Sequence, residues 1–318
     1  MYLIKFAILC VRFACSHGLA RATAGRADAD RPSLLFVAGL EGTGHHFFDT
    51  VFKRLKMANL SFISDVGLLK GSWNQFGMMR SGRPWSREDL DKNVEFLVQL
   101  ANEEPGKLIY LYYAATSSYP NGQGTHHDRL HNRQPDMVLL KEACDRASVD
   151  LKVIVMQRPD ADTLFATCKH RNDLESCADQ FETLRENTDV MVSQIARLAA
   201  DVSGRGQASV KCAQYGNLVE LGEALASMVD DSTAQDLSKK AITDAWQGSE
   251  YHHDVQSEDP SIVQLAQEMH GHRLEELCHS IEAADVSALL RHVLPAAVQR
   301  RRGFDQLMVE APWRRTRE

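Results

Sequence analysis

The sequence predicts an α/β protein: three layers (α/β/α) around a central parallel sheet, followed by a helical C-terminal extension. Two observations predict it. Short, continuously apolar runs of strand length alternate with longer stretches of helical periodicity, the order that produces a parallel sheet covered by helices. The first such run also passes through a glycine-rich turn directly into an amphipathic helix, which is how an α/β unit opens.

The elements follow in order. Residues 1–24 carry a short apolar stretch (Leu3, Ile4, Phe6 to Leu9, then Phe13 and Ala14), with Ala20, Ala22 and Ala24 behind it. That is the pattern of a secretory signal peptide, or of an organelle-targeting leader, since Arg12, Arg21 and Arg26 precede any acidic residue. Lys5 and Arg12 break the run, which falls short of the about 20 apolar residues of a stable transmembrane helix. Residues 25–32 read as a linker. Ser33 to Ala38 (SLLFVA) holds a continuous apolar run, Leu34 to Ala38, as in a strand buried on both faces. After Gly39 to His46, Phe47, Phe48, Val51, Phe52 and Leu55 recur at helical spacing. Further strands are expected at Leu60 to Val66, Lys107 to Ala115, Leu151 to Gln157 and Ala208 to Gln214. Helices are expected at Ser86 to Glu104, Pro135 to Val149, Ala161 to Arg171 and Leu174 to Val202. The α/β domain is assigned to residues 33–230. Residues 231–318, almost wholly helical in pattern, form the extension.

Composition narrows the function classes. Apolar residues make up 44% of the 318 and charged residues 25%, the balance of a globular chain with a real core. With 36 Lys+Arg against 43 Asp+Glu the net charge is −7, which argues against nucleic acid as a partner, so any anion site must be local. Of seven cysteines, Cys10 and Cys15 lie in the leader. Cys168 and Cys177 are close enough for a local bridge in an oxidising compartment, and none shows zinc or redox spacing. Asn59-Leu60-Ser61 is a glycosylation sequon that matters only in a lumenal chain.

Two segments carry candidate chemistry. In Gly39-x-x-x-x-Gly44 the glycines let the backbone fold around an anion, and the N–H groups of Gly42, Thr43, Gly44, His45 and His46 would face it from a helix N-terminus. His45 and His46 stand where a nucleotide-hydrolysing phosphate loop has Lys and Ser or Thr, so its lysine and magnesium hydroxyl are missing. Arg158 follows the strand Leu151 to Gln157. In an open parallel sheet that is where a nucleotide phosphate lies, with the Thr167 hydroxyl one or two helical turns on.

Four blocks together resemble the sulfotransferase superfamily: Gly39 to Phe48, Ser117-Ser118-Tyr119-Pro120, Val153 to Arg171, and Ala213 to Leu218, with Arg300 to Gly303 a fainter fifth. The resemblance implies a P-loop-type fold and the cofactor 3′-phosphoadenosine 5′-phosphosulfate (PAPS). It also implies in-line transfer of a sulfuryl group to a hydroxyl acceptor, a glycan among the candidates, in the secretory pathway. It implies that Gly42, Thr43, Gly44, His45 and His46 hold the 5′-phosphosulfate and that Arg158 with Thr167 holds the 3′-phosphate. His45 or His46 would assist the leaving phosphate, and His126, His127 or Glu41 would deprotonate the acceptor. No metal is needed.

The chain differs from the family at three places. Gly42 replaces a Lys or Arg, Ser118 a histidine, and Ala166 the usual hydroxyl, with Thr167 one residue further. These differences keep two alternatives open: a nucleotide kinase with a degenerate phosphate loop, and a secreted or lumenal binding protein that retains the fold without catalysis. The pairs His45-His46, His126-His127, His252-His253 and His270-x-His272 raise a metal site, but adjacent histidines on a helix diverge and no zinc spacing is present.

Overall fold

The computed structural model describes residues 31–39, 45–57, 63–65, 87–103, 108–111, 137–170, 189, 191–201, 208–229, 232–248, 260, 263–264 and 272–293. The leader and linker to residue 30, the segments holding Ser117 to Pro120, His126 and His127, and residues 294–318 lie outside them. Five strands form one sheet: β1 (Ser33–Ala38), β2 (Ile63–Asp65), β3 (Leu108–Leu111), β4 (Asp150–Gln157) and β5 (Ser209–Gln214). Their order is β2-β3-β1-β4-β5 and every pairing is parallel. The register sets Ser33 against both Leu108 and Asp150, and Lys152 against Ser209.

Side-chain alternation along β1 explains the layers. Leu34, Phe36 and Ala38 point into one core and Leu35 and Val37 into another, and all five are buried. β4 repeats the pattern, with Leu151, Val153 and Val155 on the first side and Ile154 and Met156 on the second. A strand with no polar face needs helices on both sides of the sheet. The first side is covered by α2 (Arg87–Glu103), α3 (Met137–Ala147), α5 (191–200), α8 (His272–Glu282) and α9 (Val286–His292). Leu164 of α4 (Asp160–His170) joins them. The second is covered by α1 (His45–Met57), α6 (Leu218–Ala226) and α7 (Ser232–Gln247). α7 buries Ala241, Ile242 and Ala245 in the same core as α1 and α6.

Local signals set the helix ends. At α6, Asn217 Oδ1 accepts from the Glu220 N–H at 3.2 Å while Glu220 Oε2 accepts from Asn217 Nδ2 at 3.0 Å. Gly216, at φ +89°, makes the turn that precedes it. Asp285 caps α9 by accepting from the Ala288 N–H at 2.9 Å. α3 and α8 both end in a left-handed residue that is not glycine, Ser148 (φ 58°) and Ala284 (φ 51°). In each case paired bonds close the last turn: Val149 N–H to Cys144 O with Ser148 N–H to Asp145 O, and Asp285 N–H to Ser280 O with Ala284 N–H to Ile281 O.

A disulfide joins Cys212 in β5 to Cys278 in α8, with Cα atoms 5.8 Å apart and a sequence separation of 66. Cys168 and Cys177 belong to segments whose side chains lie outside the description. Among the described residues no helix is long and apolar enough to cross a membrane.

Candidate functional site

The strand order creates one place where two outgoing connections diverge. The chain leaving β1 moves towards β2 and β3, while the chain leaving β4, its neighbour, moves towards β5. The helices that follow also part, α1 onto one face and α4 onto the other. A crevice therefore opens at the carboxyl ends of β1 and β4, the switch point at which open parallel sheets bind ligands.

Both sequence-predicted segments start from that end of the sheet. Ala38 pairs with Val155, so Gly39, which begins the glycine-rich turn, and Arg158, three residues beyond Val155, emerge from adjacent strands at the same end. Gly42, Thr43 and Gly44 lie outside the described residues. His45 and His46 are the first two residues of α1, and Thr167 is the eighth of α4; the side chains of these three are not described. The first turn of α1 contains no acidic side chain. Its orphan N–H groups are therefore not neutralised by a carboxylate of their own turn.

Arg158 is half-buried and its guanidinium stacks over the Tyr215 ring, 4.8 Å from the centroid. Such a contact is worth about 0.5–2 kcal/mol depending on desolvation. Its backbone is also held. The Tyr215 N–H donates to Gln157 O at 2.7 Å, extending the β4–β5 ladder by one step. On the other side the Thr163 N–H donates to Pro159 O at 2.9 Å, and the Thr163 hydroxyl makes a long bond of 3.5 Å to Arg158 O.

Tyr215 links Arg158 to the start of α1. Phe47, the third residue of α1, meets Tyr215 edge-on at 6.2 Å and Trp246 of α7 at 5.6 Å, and Tyr215 meets Trp246 at 5.5 Å. Each pair adds about 0.5–1.5 kcal/mol beyond area burial. Phe47 is buried while Tyr215 and Trp246 keep part of their surface exposed. The triad thus fixes the N-terminal turn of α1 relative to Arg158.

Trp246 was not foreseen as a site residue. It follows Ile242 and Ala245 at ordinary amphipathic spacing on α7, and only the tertiary fold brings it to Tyr215.

Two other chemistries find no support among the described residues. Cys144 is enclosed in the first core, where burial, reinforced by Asp145, drives its thiol far above the usual range, so it is no ready nucleophile. No group of three or more His, Cys, Asp or Glu side chains could hold a metal ion among the described residues. No protein-family profile matches the chain, and no curated protein matches it either.

Proposed function

We propose that the chain is a P-loop-type sulfotransferase-like enzyme, which transfers a sulfuryl group from PAPS to a hydroxyl acceptor, a carbohydrate foremost, within the secretory pathway. One observation carries the reading: the glycine-rich turn and Arg158 leave adjacent parallel strands at the switch point, with the first turn of α1 and the guanidinium tied together through Phe47 and Tyr215. The residues fit the cofactor's chemistry. A planar guanidinium with several donors suits a terminal phosphate monoester, and a helix start without a carboxylate suits the phosphosulfate.

In this reading PAPS, when bound, supplies the activated sulfuryl group. The backbone of Gly42 to His46 holds the 5′ side, and Arg158 with Thr167 holds the 3′-phosphate. His45 or His46 donates towards the departing phosphate oxygen, and His126 or His127 takes the acceptor's proton. The Cys212–Cys278 disulfide supports an oxidising compartment. Arg158→Ala tests the assignment. It should weaken 3′-phosphoadenosine 5′-phosphate by about a hundredfold, equivalent to about 3 kcal/mol for a lost charge-assisted pair, and adenosine 5′-phosphate far less. Equal losses for the two nucleotides would remove Arg158 from that role.

A further inference from the structure

Between helices α8 and α9 lies an open cleft of about 550 Å³, lined by Arg273, Glu276, His279 and Ser280 from α8 and by Arg291 and His292 from α9. It lies apart from the residues of the switch point, though towards the same end of the sheet. α3 leads into β4, so its first residue, Met137, is at the carboxyl end, where its N–H donates to Gln194 Oε1 of α5 at 3.0 Å. α5 likewise leads towards the start of β5, which puts Asp189, just before it, at the carboxyl end as well. Asp189 is buried and pairs with Arg273, the second residue of α8. With Cys278 tied to Cys212, α8 runs antiparallel to the strands and opens the cleft at that end.

Each lining residue among the described ones carries a polar group, four of them basic side chains. Arg273 is steered by its buried partner. Ser280 is committed as a donor to Glu276 O at 2.8 Å. His292 is 8% exposed, lines the cleft, and makes no hydrogen bond among the described residues; Arg291 makes no ion pair among them. With the guanidinium groups of Arg273 and Arg291 beside it, the ring adds to the donors that line the cleft.

We propose that this cleft binds a tetrahedral oxyanion, a sulfate or phosphate monoester group, through Arg273 and Arg291, with His279 and His292 as additional donors. Asp189 pairs with Arg273, which leaves Arg291 and Glu276 as the other charged residues lining the cleft. Burial first, and then Arg273 and Arg291, hold His292 below its usual 6.5 against the opposing pull of Glu276. An oxyanion seated between the arginines reverses that balance, so binding takes up protons and strengthens as pH falls.

The experiment is a titration of the full-length Arg158→Ala protein with inorganic sulfate, then inorganic phosphate, in chloride buffer, following the histidine ring protons by NMR. Sulfate keeps its charge across the range, so it isolates the protein's own titration. Saturating sulfate should shift the His292 signal and raise its pKa, with affinity roughly tenfold higher near pH 6 than near pH 8, one pKa unit's worth. Phosphate tighter than sulfate at the same pH would support the proposal with a phosphate ester as ligand, and the reverse order would support it with a sulfate ester. Arg291→Ala, at an exposed position, should abolish the response. An unmoved His292 signal, an equal response to chloride, or unchanged affinity in Arg291→Ala would overturn it. Sulfate binding that vanishes with Arg158→Ala alone would also overturn it, by assigning the anion to the switch point.

Discussion

Removing the Cys212–Cys278 bond is the perturbation whose size can be worked most directly. The bond closes a loop of 66 residues, and on the chain-entropy scale it withholds about 15 cal/mol/K from the unfolded chain, or about 4 kcal/mol at 25 °C. Cys212 and Cys278 are both buried, at 8% and 2% exposure, so Cys278→Ala adds a small packing loss that must be separated from the cross-link itself. Comparing oxidised and reduced wild-type protein provides that separation. Urea unfolding followed by tryptophan fluorescence should show the reduced protein about 4 kcal/mol less stable, equivalent to a fall in Tm of about 6 °C for a chain of this size. The loosening should be greatest in α8 and α9, because α8 is then held by its packing on β5 and by the Arg273–Asp189 pair. A loss below about 1 kcal/mol, or alkylation of Cys212 and Cys278 in the unreduced denatured chain, would refute the reasoning.

Two further predictions concern stability. Ala284→Gly and Ser148→Gly, at left-handed helix-terminal positions, should each stabilise the fold by about 0.5–1 kcal/mol in the same unfolding assay, and destabilisation would contradict the Schellman geometry assigned to them. For His292 the neutral ring is favoured in the fold, so its folded pKa lies below 6.5 and the unfolded chain binds the proton first. Stability from this group is therefore present above about pH 6.5 and is lost as pH falls towards the folded value. In chloride buffer His292→Gln should lose less stability than wild type between pH 7.5 and 5, and parallel losses would contradict the assignment.

The parts of the fold visible in the sequence are those whose signal is local. SLLFVA announces a doubly buried strand because the five residues from Leu34 to Ala38 are all apolar, and β1 has the expected bounds, Ser33–Ala38. β4 and β5 fall within one residue of their expected bounds, although each carries a lysine, Lys152 and Lys211. The parallel α/β alternation is likewise a local pattern repeated. Strand order is not local, since β1 separates β3 from β4 only after the chain has crossed the sheet, and no residue in those strands encodes that neighbour.

The candidate site divides in the same way. Arg158 stands out because it follows a strand, and the glycine-rich turn because it joins a strand to a helix. The Phe47–Tyr215–Trp246 contact is silent in sequence, because each ring sits at ordinary helical or strand-end spacing and they meet only across three elements. The disulfide is silent too: its two cysteines stand 66 residues apart without a motif, whereas the nearer pair, Cys168 and Cys177, attracts attention by proximity alone. The α8–α9 cleft depends on two helices folding back at Ala284, where Asp285 supplies a cap that periodicity does not register.

The central claim is that the crevice between β1 and β4 receives a nucleotide bearing a 3′-phosphate. Calorimetric titration of the full chain with 3′-phosphoadenosine 5′-phosphate, and separately with ATP and Mg²⁺, tests it most directly. The account predicts saturable micromolar binding of the first, about −8 kcal/mol, and none of the second. Preference for Mg-ATP, or no binding of either nucleotide, would contradict it.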